Sequence, residues 1–128
     1  MEPDRPKAKD KKVMYSTSLP KGLWDSLQKA TVDLHRKKAD WVRASLNLFF
    51  SLVEEEQESQ VLDGYKKIET SHLRPFTTTL LESQLNSLNK LSRTLNRSKA
   101  DIVRSAIFVF LSRSAEEQEK EVKKSLSR

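Results

Sequence analysis

The sequence repeats itself at an offset of 61 residues, and this repeat constrains the fold more than any other feature. Residues 13–58 align without a gap to residues 74–119, and 18 of the 46 aligned positions are identical. A unit of 46 residues rarely buries enough apolar surface to fold alone. We therefore predict that the two copies pack against each other in one structure.

Each copy opens with a run in which apolar or aromatic residues alternate with small polar ones. This period of two predicts a strand with two different faces. The inward faces are predicted to carry Tyr15, Thr17, Leu19, Phe76, Thr78 and Leu80. The outward faces are predicted to carry Met14, Ser16, Ser18, Pro75, Thr77 and Thr79. Since the backbone of a strand needs partners, and the other strand pattern is its own repeat, we predict a two-stranded antiparallel ribbon.

Two helices are predicted after each strand, so the fold class is mainly α. Leucines recur at helical spacing in the first helix, which begins at Pro20 or Glu82. The second helix carries a longer apolar pattern and continues into glutamate-rich ends. In copy two, Ser98 is predicted to cap this helix with Asp101 as its capping-box partner, whereas copy one has Lys37 at the capping position.

The pattern divides the chain into five segments. They are a disordered basic arm (1–12), copy one (13–58), a linker (59–73), copy two (74–119) and a charged tail (120–128).

A strand of about six residues followed by two helices resembles the ribbon-helix-helix (MetJ/Arc-type) family of DNA-binding proteins. The segment from Ser98 to Ala106 is similar to the family's usual opening of the second helix: small polar, basic, small, acidic, two apolar residues, then Arg. Thr77-Thr78-Thr79-Leu80 resembles the family's strand. The resemblance covers both copies and implies that one chain forms the pseudo-dimer that is usually made by two chains.

The charge and the resemblance indicate double-stranded DNA as the partner. The net charge of +6 and the sequence pI of about 9.6 favour a polyanion. The resemblance implies that the ribbon enters the major groove, which is wide enough to admit it. The base-contacting residues would then be Met14, Ser16, Ser18, Thr77 and Thr79. Hydroxyl groups discriminate bases less sharply than bidentate Arg or Asn, so we expect modest specificity.

Basic residues beside the strands and at the starts of the second helices are predicted to contact phosphates. The N-terminus of a helix presents free N–H groups to an anion. The predicted phosphate contacts are Lys11, Lys12, Lys37, Lys38, Arg74, Ser98 and Lys99. Arg43 and Arg104 lie one turn further along, where a salt bridge is at least as well indicated as a DNA contact.

Several classes of function have no support in the sequence. There is no Cys, and His35 and His72 stand alone without metal-ligand spacing. We see no catalytic constellation and no phosphate-binding glycine loop, so we expect neither an enzyme nor a cofactor. No apolar run of ~18 residues is present. We therefore expect a cytoplasmic, nucleoid-associated protein without a membrane partner or an evident small-molecule effector.

Phe108 stands where copy one has Asn47, and it extends the apolar surface of the second helix beyond one face. We predict that Phe108 joins two chains into a homodimer of pseudo-dimers. The favoured function is transcriptional repression. An accessory protein of plasmid conjugation or maintenance, an antitoxin, and a protein-interaction module that has lost DNA binding remain open.

Overall fold

The computed structural model describes residues 10–33, 37–52, 54–67 and 72–126. Within these ranges the chain is mainly helical with one two-stranded antiparallel sheet, so the predicted fold class is confirmed at this level. The elements in chain order are β1 (Lys12–Pro20), α1 (Lys21–Asp33), α2 (Lys38–Phe50), α3 (Glu54–Lys67), β2 (Leu73–Leu81), α4 (Glu82–Leu95), α5 (Lys99–Leu111) and α6 (Ala115–Leu126).

The pairing of β1 with β2 has a register that is symmetric with respect to the sequence repeat. Ser16 lies opposite Thr77, which is its own counterpart at the offset of 61. Met14 therefore lies opposite Thr79 in the same way that Pro75 lies opposite Ser18. Each strand has nine residues rather than the predicted six, and all nine are paired with the other strand.

The two faces of the ribbon are those predicted from the alternating pattern. Leu19 and Leu80 are fully buried on the inner face, and Phe76 is buried beside them. Met14 on the outer face is 76% exposed. The inner face packs on the helices because this packing removes its apolar side chains from contact with water. The outer face remains open to solvent.

The second helix of each copy ends sooner than predicted. It stops at Phe50 in α2 and at Leu111 in α5, and the glutamate-rich ends belong to separate helices. Ser114 explains the second break. Its hydroxyl accepts the N–H of Glu117 at 3.2 Å, and its own N–H donates to Oε1 of Glu117 at 3.3 Å. This capping box starts a new helix, α6.

Helices α3 and α6 replace most of the predicted linker and tail. The chain is helical through Lys67, and the tail predicted from residue 120 lies within α6 up to Leu126. Val61 and Val122, again 61 positions apart, are buried. Helix α3 packs on α5 and α6 packs on α2, so each third helix covers the second helix of the other copy. The buried valine of each helix gives it an apolar side that a linker or a solvated tail would not have.

Part of the predicted N-terminal arm is held in place. Residues 1–9 lie outside the described residues, and Lys12 already belongs to β1. The carbonyl of Lys11 accepts the N–H of Glu82 at 2.8 Å, and the carboxylate of Asp10 accepts the N–H of Ser83 at 2.9 Å. These bonds satisfy free N–H groups at the start of α4. The end of the arm is therefore fixed against the first helix of the other copy.

Both copies contribute to one hydrophobic core. Leu27 of copy one and Leu88 of copy two are almost completely buried in it. The rings of Trp41 and Phe110 meet edge to face, with centroids 6.1 Å apart and planes at 70°. The indole N–H of Trp41 donates to Oε1 of Gln118 at 2.9 Å, which satisfies a buried polar group. This core supports the ribbon from below.

Candidate nucleic-acid interface

The centre of the outer ribbon face is polar and exposed. Oγ of Ser16 and Oγ1 of Thr77 lie 3.1 Å apart and form a hydrogen bond across the ribbon. Each hydroxyl has further capacity to donate or accept. Met14 and Pro75 flank this pair on the same face and are exposed as well. Since these four side chains lie away from the helices, they are accessible to a ligand that covers the ribbon.

Two predicted base-contacting side chains already have partners. Nη1 of Arg43 donates to Oγ1 of Thr79 at 2.7 Å and to its carbonyl at 3.0 Å. Nη2 of Arg104 donates to Oγ of Ser18 at 2.8 Å, and its Nε donates to the carbonyl of Ser18 at 2.9 Å. Of the five predicted base contacts, Met14, Ser16 and Thr77 thus face solvent without a bond to a helix.

The two arginines are held by carboxylates of their own helices. Nη2 of Arg43 lies 2.7 Å from Oδ1 of Asp40, and Nη1 of Arg104 lies 3.5 Å from Oδ1 of Asp101. Both arginines thus form salt bridges, one of the two roles that their positions in the sequence left open. Because each arginine then reaches the strand of the other copy, the pairs fix the ribbon to α2 and α5.

The predicted phosphate-contacting residues surround the ends of the ribbon. All are exposed except Lys38, which is partly buried; the set is Lys11, Lys12, Lys37, Lys38, Arg74, Ser98 and Lys99. Within the described residues, none of these six cations forms a salt bridge. Lys21, by contrast, pairs with Asp25 at 2.8 Å. The ribbon ends therefore carry positive charge that the described part of the chain leaves uncompensated.

The starts of α2 and α5 differ as the sequence predicts. Oγ of Ser98 accepts the N–H of Asp101 at 3.1 Å and caps α5. Lys37 has the extended backbone of a capping residue, with φ −83° and ψ 141°, but its side chain makes no capping bond. Ser98 is thus engaged as a cap, whereas the N–H of Asp40 at the start of α2 donates to the backbone carbonyl of Lys37 at 3.1 Å rather than to a side chain.

Sequence reasoning missed Trp24 in this region, because its helical spacing from Leu27 places it among the apolar positions of the first helix. Its ring has Nζ of Lys38 at 5.5 Å and Cζ of Arg74 at 5.2 Å from the ring centroid. Both distances suit cation–π contacts. Copy two has Leu85 at the equivalent position, so the core does not require an indole there. That difference between the copies is the signal that could have found it.

Tyr15 lies beneath the outer face, and burial raises the pKa of its phenol above the ordinary value. A hydrogen bond with Thr17 and the charge of Arg104 oppose this shift without cancelling it. The phenol is therefore neutral at physiological pH. It lies opposite Thr78, whose buried hydroxyl has no hydrogen-bond partner among the described residues.

Phe108 is partly buried and packs against the core. It also lines a cleft of about 190 Å³ with Leu23, Ser26, Leu111 and Ser112. The equivalent cleft of the other half, of about 310 Å³, includes Phe50 and Ser87. The homodimer based on Phe108 stays a prediction.

In the ranges that the structure describes, His, Asp and Glu side chains form no group that could hold a metal ion. None of the helices in these ranges combines the length and the apolar character needed to cross a membrane. No family model matches the chain, and no curated protein or solved structure is significantly similar to it.

Proposed function

We propose that this chain is a tandem ribbon-helix-helix protein whose copies form an intrachain pseudo-dimer, and that it binds double-stranded DNA through the β1–β2 ribbon. One observation carries the proposal. The ribbon pairs symmetrically about Ser16 and Thr77, with an exposed polar face between cations that form no salt bridge with the residues that the structure describes. A two-stranded ribbon fits the major groove of B-DNA, and cations on either side would meet the phosphates that border it.

The base-reading part of this proposal rests on Met14, Ser16 and Thr77. The two hydroxyls can bond to several base edges, and the Thr77 methyl group can contact the methyl group of thymine. Ser18 and Thr79 contribute indirectly, since their bonds to Arg104 and Arg43 hold the ribbon at a fixed height above the helices. Specificity per ribbon is modest because no Arg, Asn or Gln lies on the outer face.

The backbone-binding part rests on the exposed cations. Lys37 and Lys99 lie at the starts of α2 and α5, where free N–H groups also attract a phosphate. Lys11 and Lys12 lie beside one end of the ribbon and Arg74 beside the other. Each phosphate neutralised releases counterions, so binding should weaken steeply as salt rises.

Transcriptional repression is the role we propose for this binding, because a ribbon that occupies the major groove keeps other proteins off the same site. An accessory role in plasmid conjugation or maintenance uses the same interface. A protein-interaction module without DNA binding is the alternative from a different class. The uncharged centre of the outer face favours that alternative, since it offers DNA no cation there.

The test measures the affinity of the full chain for random and selected duplexes by fluorescence anisotropy at several salt concentrations. The wild type should bind both, with a steep salt dependence. Ser16→Ala with Thr77→Ala should lose preference for the selected duplex but keep its melting temperature. We choose this pair because Thr79 is bonded to Arg43. Leu88→Ala is the contrasting core variant and should cost about 2–5 kcal/mol of folding stability.

Absence of binding to any duplex at low salt would reject the DNA-binding proposal and favour the interaction module. If the wild type and the Ser16→Ala, Thr77→Ala variant prefer the selected duplex over the random one to the same degree, the ribbon does not read the bases.

A further inference from the structure

Three elements meet at Trp24, near one end of the ribbon. Trp24 lies on α1, Lys38 is the first residue of α2, and Arg74 is the second residue of β2. Both cations lie over the same indole ring, at 5.5 Å and 5.2 Å from its centroid. Their separation cannot exceed about one Debye length, ~10 Å at 0.1 M salt, so they repel each other. We call Trp24, Lys38 and Arg74 the Trp24 cluster.

The cluster has no counter-charge within the described residues. Lys38 and Arg74 form no salt bridge or side-chain hydrogen bond there. Asp40, an acidic residue of the same helix start, is bound to Arg43 at 2.7 Å. The ring holds the two cations by their aromatic contacts and leaves their N–H donors available to an external anion.

The opposite end of the ribbon lacks this arrangement. The positions equivalent to Trp24 and Arg74 are Leu85 and Val13, and only Lys99 keeps the charge of Lys38. One end of the ribbon thus has two cations assembled on an indole ring, whereas the other end has Lys99, Lys11 and Lys12 with Leu85 in place of the ring. The two ends therefore differ in how their cations are held.

We infer that the Trp24 cluster is a binding site for the phosphate backbone of DNA and gives the protein a preferred orientation on its site. This inference rests on the proposed function. It adds Trp24 and a difference between the two ends of the ribbon, neither of which DNA binding by itself requires. Trp24 acts as a positioning residue, since it holds Lys38 and Arg74 rather than contacting bases. The expected ligand is one or two phosphates beside the groove that the ribbon occupies.

The experiment replaces each cluster residue by its counterpart in copy two: Trp24→Leu and Arg74→Val. Binding to a random duplex is measured from low to high salt with the full chain. Loss of one phosphate contact makes the slope of log affinity against log salt shallower by about 0.9, and loss of two by about 1.8. Trp24→Phe keeps a ring and should keep most of the slope. Lys90→Ala removes an exposed charge on α4, away from the ribbon, and should leave the slope unchanged.

Two further readouts separate positioning from folding. Trp41 is fully buried whereas Trp24 is partly exposed, so quenching by neutral acrylamide reports mainly on Trp24. DNA should reduce this quenching. On a selected duplex, Trp24→Leu should lose hydroxyl-radical protection at one flank of the footprint and keep it at the other.

The inference is overturned if Arg74→Val and folded Trp24→Leu bind with the wild-type slope and a wild-type footprint. It is likewise overturned if both flanks weaken equally. Arg74→Val keeps the test decisive should Trp24→Leu fail to fold, because Arg74 is exposed. A wild type that binds no DNA would refute the proposed function itself, whereas a binding wild type with unaffected variants would refute the Trp24 cluster alone.

Discussion

Arg43 and Arg104 occupy equivalent positions and make equivalent bonds, but their surroundings differ. The contact between Arg43 and Asp40 is 2.7 Å long, with side chains 9% and 16% exposed. The contact between Arg104 and Asp101 is 3.5 Å long, with side chains 12% and 21% exposed. When its arginine is removed, the shorter and less exposed pair leaves the more deeply buried carboxylate without a counter-charge, which costs more free energy. The two positions therefore allow a matched comparison within one molecule.

We expect Arg43→Met to lower the free energy of unfolding by about 3 kcal/mol, the low end for a broken buried pair. Arg104→Met should cost less. Urea unfolding followed by circular dichroism measures both, and Lys90→Met controls for loss of a charge. Equal losses at the two arginines, or a larger loss for Arg104→Met, would contradict this ranking.

The strand faces could be predicted at the residue scale, whereas the arginine contacts could not. Alternation along a strand is local, so Met14 and Leu19 are assigned to opposite faces from sequence alone. The bond from Arg104 to Ser18 joins residues 86 positions apart. Only the pairing of the copies brings those two side chains together. Ser18 therefore looked as available as Ser16 until the three-dimensional arrangement was known.

At the scale of whole elements, the residue before α2 and the residue before α5 differ: one is a cation and the other is a helix cap. Ser98 caps α5, while Lys37 has the backbone of a capping residue without the capping bond. A serine at position 37 would offer the N–H of Asp40 the side-chain acceptor that Ser98 offers Asp101. It would also remove an exposed cation beside the ribbon.

We expect Lys37→Ser to raise the free energy of unfolding by about 1 kcal/mol and to make the salt dependence of DNA binding shallower by about 0.9. Ser98→Ala is the reciprocal variant; it should lose about 1 kcal/mol and keep the wild-type slope. Thermal melting and anisotropy titrations measure the two quantities independently. A stabilised Lys37→Ser protein with an unchanged slope would show that Lys37 contacts no phosphate.

Helix α6 shows why element boundaries were harder to predict than element types. Its capping box, Ser114 with Glu117, is a local signal that the sequence contains. The continuous run of helix-forming residues on both sides obscured it, so α5 was extended too far. The counterpart helix α3 was partly assigned to a linker because its buried surface, Val61, packs on the other copy. A single apolar residue in a polar segment gives a weak periodic pattern.

At the scale of the whole molecule, the repeat predicted that the copies pack together, but not how their contacts differ. Nε2 of Gln84 on α4 donates to the carbonyl of Arg43 and to Oδ1 of Asn47, and Nδ2 of Asn47 donates to Ser125. The positions equivalent to Gln84 and Asn47 in the other half are Leu23 and Phe108. One contact between the copies is therefore polar and its counterpart is apolar.

This difference favours pairing of unlike copies. Two copies of the first kind would place Leu23 opposite Asn47, and two of the second kind would place Gln84 opposite Phe108. Either arrangement removes the hydrogen bond between the two amides, from the partly buried Asn47 in the first and from the buried Gln84 in the second, and a buried polar atom left without its partner costs about 1–3 kcal/mol. In the proposed pseudo-dimer, the polar contact thus favours pairing of copy one with copy two over pairing of two like copies from different chains.

A double-mutant cycle at this contact tests the idea. Gln84→Leu and Asn47→Phe should each lower the free energy of unfolding, because each removes the hydrogen bond that joins the two amides. The double variant, which copies the apolar contact of the other half, should recover much of the loss, with a coupling energy of about 0.5–3 kcal/mol. It should also form more dimer than the wild type when refolded at high concentration, since its two contacts are then alike. Additive losses together with a wild-type mass by light scattering would rule out selection of the partner by this pair.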